Sequence, residues 1–265
     1  ISMLHTMFNL INTFLLVWFT KQIAAFTTRI IKDKAEGSDE DNVKLKFIDA
    51  GPLSTAELAI GAARNEVVHF AEISRNGLQY LRRIINAKDV KEFDEMQQKL
   101  VKYEEISDRI EYEIATFLNA LPEDSISEQT RTETKHMYKI IGELESLGDS
   151  GDAIGRILMR RNSHERSFTA EQIAKLDTML GTLDKCYSVM IENLRAENME
   201  PIGLRQATDC EIELNELRNT IREEEIHKIE NDGSNYTSSV YYLDTVSEIE
   251  RMGDFIINVS QALDE

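Results

Sequence analysis

The sequence predicts an all-α protein: one membrane helix at the start, a polar linker, then two three-helix bundles in tandem. Three observations carry this. The 265 residues hold only three prolines and twelve glycines, and apolar residues recur at three-four spacing over long stretches with little alternation of period two. The segment from Met7 to Phe26, "MFNLINTFLLVWFTKQIAAF", is apolar except for a single formal charge, Lys21. The pattern Glu-x-Glu-x-x-Gly-Asp occurs twice, as "ELESLGD" from Glu143 and "EIERMGD" from Glu248.

A helix of about twenty residues rises about 30 Å, the thickness of a bilayer's hydrocarbon core. Residues 7–26 are therefore expected to span a membrane. Lys21 sits near one end, where its stem can carry the ammonium to the interface. Residues 1–34 hold Lys21, Arg29, Lys32 and Lys34 against Asp33, a balance of +3, so the remainder carries −21 of the total of −18. The basic cluster after the span places the rest of the chain on the cytoplasmic side. No basic segment precedes the apolar run and no Ala-x-Ala site comes after it, so a cleaved signal peptide does not fit. The chain opens at Ile1, and residues 1–31 are read as the last helix of a membrane domain whose earlier part lies upstream. A body this acidic excludes nucleic acid as a partner, because phosphate backbones need a basic surface.

Residues 32–52 form the linker. "KDKAEGSDEDN" from Lys32 is polar and aperiodic, and the next short apolar stretch ends at Gly51-Pro52. Ser54, with Glu57 three residues on, makes a capping box. Six helical segments come next: Thr55 to Asn86, Val90 to Asn119, Ser127 to Met159, Ala170 to Asn198, Ile202 to Asn231, and Tyr236 to Leu263. Leu121-Pro122, the polar loop Arg160–Ser167 and "NDGSN" separate them. Residues 53–162 are expected to form one three-helix unit and residues 163–265 a second. Duplication explains the order, since Glu143–Leu158 aligns with Glu248–Leu263 and "EEISDRIEYEI" from Glu104 aligns with "EIELNELRNTI" from Glu211. Cys186 and Cys210 form no Cys-x-x-Cys pair and read as reduced thiols.

On the third helix Met137, Ile140, Ile141, Leu144, Leu147, Gly151, Ile154 and Leu158 make an apolar stripe. Glu145, Asp149 and Asp152 lie along its edge at one-turn steps. The sixth helix repeats this with Val240, Leu243, Val246, Ile249, Gly253, Ile256 and Leu263, flanked by Glu250 and Asp254. Glycine inside a helix costs roughly 1 kcal/mol against alanine, so Gly148 and Gly253 need a reason. Close approach of a neighbouring helix is one. The second helix of each unit is expected opposite, offering Glu104 with Asp108, and Glu211 with Asn215. Carboxylates converging from two helices repel unless protonated, solvated or bridged by cations, and hard oxygen donors suit Mg²⁺, Ca²⁺, Mn²⁺ or iron.

The paired Glu-x-Glu-x-x-Gly-Asp segments, with Asn258 four residues after Asp254, resemble the repeats of the PhoU proteins, regulators of phosphate uptake. The resemblance extends over residues 53–265. It implies a tandem of two three-helix bundles that binds metal through Glu/Asp-x-x-x-Asp pairs. By that resemblance the metal-ligand candidates are Glu104, Asp108, Glu145, Asp149, Glu211, Glu250 and Asp254. Asn215 departs from the acidic pattern, and Asp152 stands where a neutral residue is commoner. "HTMFN" from His5, with "LKFIDAGPLSTAELAI" from Leu45 after it, is similar to bacterial sodium/phosphate cotransporters with a PhoU-like C-terminal domain. This implies the C-terminal part of a transporter coupling inorganic phosphate to sodium at the bacterial plasma membrane, regulated by cytoplasmic bundles. His5, Thr6 and Asn9 are then polar groups of the transport helix, either facing the transport core or, the favoured role, packing between helices. The expected cofactor is a divalent metal or iron, with sodium and phosphate as transported species. The expected partners are the lipid bilayer, the upstream transport domain and, as a homodimer, a second copy of the chain.

Other classes are weaker. Glu66-x-x-His69, Glu133-x-x-His136 and Glu224-x-x-His227 match the helical step of di-iron carboxylate enzymes, yet such pairs one turn apart are common on exposed helices. A membrane-anchored regulator without transport activity is the alternative within the same fold. A signalling rod needs heptads unbroken over many turns, which Pro122 and the two loops interrupt. No Gly-rich phosphate loop, nucleophile elbow or zinc-type spacing occurs, and a non-enzymatic protein is expected.

Overall fold

A computed structural model of the chain describes residues 5–8, 45–48, 56–121, 127–196, 201–232 and 236–264. The chain divides into two compact units, Ile1–Lys44 and Leu45–Glu265. In the first unit, residues 5–8 are helical and exposed, and they include His5 and Thr6. Asn9 and the rest of the expected span lie outside the described residues. Among the described residues no helix is long and apolar enough to cross a membrane.

The second unit is entirely helical among its described residues, apart from turns. Its helices are α1 (Ala56–Asn76), α2 (Leu78–Ile85), α3 (Val90–Asn119), α4 (Glu128–Ser163), α5 (Ala170–Arg195), α6 (Pro201–Asp232) and α7 (Tyr236–Ala262). The expected first helix is broken at Gly77, where the backbone turns and the Gly77 amide donates to the Ser74 carbonyl at 3.1 Å. Tyr103 of α3 supplies the reason. A Cβ on Gly77 would stand 2.7 Å from its ring, so the bare backbone there accommodates the tyrosine. Periodicity shows no such contact, because the apolar stripe continues in phase through Leu78, Leu81, Ile84 and Ile85.

Local chemistry accounts for the helix starts. Asp89 accepts from the Glu92 amide at 2.8 Å, and Ser127 accepts from the Thr130 amide at 3.1 Å. At α5, Thr169 and Gln172 form a reciprocal capping box. Ser54, the proposed cap of α1, lies outside the described residues. The α4 stripe read from sequence is buried throughout. On α7 the buried face departs from the expected stripe: Val246, Ile249, Gly253 and Ile256 are buried, Val240, Leu243 and Leu263 are only half-buried, and Tyr242, Thr245, Met252 and Val259 join the buried face, because α7 touches α4, α5 and α6 at once. The most extensive contact in the molecule joins α4 to α7, the two helices that carry the duplicated acidic segment.

A buried carboxylate stitches the second set of helices. Glu225 of α6 accepts from Gln172 Nε2 of α5 at 2.8 Å and from Ser239 Oγ of α7 at 2.6 Å. Burying a charged group is tolerable only with such partners. Cys186 is buried and Cys210 half-buried, both as free thiols.

Candidate metal centre

Helices α3 and α4 run antiparallel, and the small residues set how close they come. A Cβ on Gly148 would stand 2.8 Å from Ser107 Cβ, with the Glu104 backbone at 3.7 Å. The absence of a side chain at Gly148 therefore brings the Glu104 turn of α3 against the Asp149 turn of α4. In the second repeat Gly253 meets Leu214 in the same way. The two contacts occupy equivalent positions of the repeat, Ser107 with Leu214 and Gly148 with Gly253.

This approach gathers carboxylates. Glu104, Asp108 and Asp149 each offer an oxygen, and these oxygens lie within 4.8 Å of one another. Glu104 is half-buried, while Asp108 and Asp149 are exposed. Burial pushes the Glu104 carboxyl above its ordinary value, with the charges of Asp108, Asp149 and Asp152 adding to the shift. Glu145 is raised as well, first by burial, then by Asp149 and Asp108, with Glu111 adding to it. The donor set is all oxygen, and the principal charged neighbours of both glutamates are other carboxylates. A hard divalent cation or iron fits such a set.

Asp152, expected with Glu145 and Asp149 along the edge of the apolar stripe, lies deeper than they do. It is buried, its Oδ2 is held by Arg156 one turn on, and its Oδ1 has no hydrogen-bond partner among the described residues. The seven-residue step from Glu145 drifts toward the apolar stripe, because two helical turns span 7.2 residues. Its charge still reaches Glu104.

The second set of candidates is arranged differently. Burial raises Glu250, and so does Asp254, but Arg218 of α6 opposes them. Arg218 pairs with Glu250 at 3.3 Å and donates to Asn215 Oδ1 at 3.1 Å. Asp254 is raised by burial and lowered by Arg218 and Arg251. Glu211 acts on Glu250 by charge alone. Sequence reading missed Arg218, although it aligns with Glu111 in the two quoted repeats and the reversal of sign was the available signal.

The Glu-x-x-His pairs serve elsewhere. Glu66 is buried and accepts from the backbone amides of Lys46 and Phe47 at 2.9 and 2.7 Å. It thus clasps the end of the linker onto α1, with Ile48 buried beside it. His69 is lowered by burial and by Lys46. Glu133 and His136 line a cleft of about 310 Å³ in which Arg64 pairs with Glu133 at 3.0 Å. Glu224 is held by Lys175, and His227 contacts Asn231.

Two solved structures have a similar fold. The crystal structure of PhoU from Pseudomonas aeruginosa superposes with a TM-score of 0.68 at 10% identity, covering 78% of this chain and 96% of that one. The fold is PhoU-like. The phosphate transport system regulatory protein PhoU from Streptococcus pneumoniae gives 0.65 at 14% identity, with 79% and 95% covered. No family model matches the sequence. Among curated proteins the PhoU-like chain is similar to "Putative inorganic phosphate export protein YjbB" of Salmonella typhimurium, 22% identical over 192 residues. That match takes in 72% of this chain but spans only 33% of the relative's length.

Proposed function

We propose that this chain is the regulatory, PhoU-like part of a sodium-coupled inorganic phosphate transporter of the bacterial plasma membrane. The observation that carries the reading is the convergence of Glu104, Asp108 and Asp149 on a PhoU-like fold. The similarity to a relative named for phosphate export supports it, as does the resemblance of His5–Asn9 and Leu45–Ile60 to sodium/phosphate cotransporters.

A bound divalent cation or iron supplies positive charge that removes the repulsion across the α3–α4 seam. Glu104, Asp108 and Asp149 hold it, and Glu145 stands beside them. When these side chains are neutralised, α3 and α4 close, and when they are bare the seam loosens. A ligand shifts such an equilibrium only by binding one arrangement better than the other. The Glu66 clasp ties α1 to residues 45–48, which continue into the chain before Lys44, so a change in the bundle reaches that segment through the backbone.

The test measures radiolabelled phosphate flux in cells carrying the intact protein, across a range of phosphate supply. Substituting Glu104→Gln, Asp108→Asn and Asp149→Asn together is expected to uncouple flux from supply. Flux that tracks supply identically in both proteins sinks the reading. Export is the second reading, favoured by the relative's name, and release of phosphate from preloaded vesicles distinguishes it from uptake.

A further inference from the structure

The two copies of the acidic motif differ in what stands opposite the same glutamate. Glu145 and Glu250 occupy equivalent positions on α4 and α7. On α3 the position equivalent to Arg218 holds Glu111, an acid. Facing Glu250 from the equivalent position of α6 is Arg218, paired with it at 3.3 Å. The second repeat therefore carries a cation at a position where the first carries an acid.

A second difference reinforces the first. Asp108, one of the three converging carboxylates, is replaced in the second repeat by Asn215, whose Oδ1 accepts from Arg218 at 3.1 Å. The amide removes one anionic donor, and its oxygen is committed to the guanidinium. The Glu250 side chain is only 15% exposed, so its pairing takes place in a partly desolvated seam where a charge partner matters more than on an open surface. An arginine fills such a site permanently, because the guanidinium stays protonated at any ordinary pH. Among the described residues, Glu104, Asp108 and Asp149 form a group of three carboxylates with oxygens within 4.8 Å of one another, and no such group of three comes from the second repeat.

From this we infer that Arg218 is a tethered cation occupying the second carboxylate cluster, so that the chain loads a divalent metal at its first repeat only. The duplicated fold implies two equivalent centres, and the residues of the second do not fit an ion. The first repeat is then the responsive half and the second a fixed half, with α6 and α7 held together whether or not metal is present. This rests on the metal reading of the first cluster, and the experiment separates the two.

Mn²⁺ alone is the probe, titrated into the full chain while the free ion is counted by electron paramagnetic resonance. Three proteins are compared: wild type, Glu104→Gln with Asp108→Asn, and Asn215→Asp with Arg218→Glu, which restores the first repeat's residues. The expected stoichiometries are one, zero and two ions, with circular dichroism confirming helix content. Zero in wild type but one in the restored variant ends the metal reading of the first repeat while upholding Arg218 as the cation that keeps an ion out of the second. A restored variant that binds no more than wild type overturns it. So does an ion retained by the Glu104→Gln, Asp108→Asn protein, and that arm decides the matter if the restored variant fails to fold.

Discussion

Asn258 Nδ2 of α7 donates to Glu143 Oε2 of α4 at 3.0 Å across the seam that joins the two repeats. The repeat relates this pair to Ala153 and Glu248, where no amide is present. There Glu248 Oε2 is buried without a partner among the described residues, beside a polar cavity of about 160 Å³. Ala153→Asn is therefore expected to stabilise the protein by roughly 0.5–1.5 kcal/mol, the net value of one internal hydrogen bond. Asn258→Ala should destabilise it by a similar amount. Urea unfolding midpoints check both, and an unchanged midpoint for Ala153→Asn counts against the symmetry argument.

Three glycines should respond differently to alanine. At Gly148 the new methyl meets Ser107 Cβ at 2.8 Å, an atom fixed to the α3 backbone. Overpacking of about 1–3 kcal/mol outweighs the gain of roughly 1 kcal/mol in helix propensity. At Gly253 the obstructing atom is the tip of Leu214, which can rotate away, so the change is expected to be near neutral. At Gly142 nothing lies within 4 Å, and alanine should stabilise by about 0.5–1 kcal/mol. Calorimetric melting of the three variants gives the order directly.

Stability should fall with rising pH in the metal-free chain across a defined window. Glu104 and Glu145 are raised in the folded protein, so between the ordinary glutamate value of 4.5 and their folded values the native state binds more protons than the unfolded one. The slope of stability against pH is then negative, and the stabilisation present below 4.5 is lost as pH rises through the folded values. Glu145→Gln flattens this slope and raises the midpoint at pH 7. A positive slope between pH 5 and 7 attributable to Glu145 would contradict the crowding of carboxylates at the seam.

The Glu66 clasp makes a local prediction. Hydrogen bonds to a charged acceptor contribute about 1.5–3 kcal/mol, which is roughly tenfold or more in an opening equilibrium. Glu66→Ala should accelerate hydrogen exchange at the Lys46 and Phe47 amides by that factor while leaving the α4 core protected. Glu66→Gln keeps an acceptor and should show a smaller effect. Equal exchange in all three proteins would show that Glu66 does not hold the linker.

Much of the helix layout was legible because its signals are local. The start of α3 at Val90 and of α5 at Ala170 comes from capping residues within a few positions. The burial of Met137, Ile140, Leu144 and Leu147 comes from a periodicity any helix must obey. Gly148 was legible too, since a glycine in a long helix implies something close by. The break at Gly77 was not, because its cause is Tyr103, on a different helix. Asp152 misled because one helical step separates an exposed ridge from a buried one, and only the packing partner shows which side wins.

Alone, then, the sequence determined an all-α chain with a duplicated acidic motif and the one-turn spacing of Glu104 with Asp108 and of Glu145 with Asp149. Those are properties of spacing along one chain direction. The tertiary structure alone decided that Glu66 would hold the linker, that Asp152 would be buried beside Arg156, and that Arg218 would stand against Glu250. Such pairings depend on which faces of separate helices meet, and charge acts through space at a few ångströms whatever the distance along the chain.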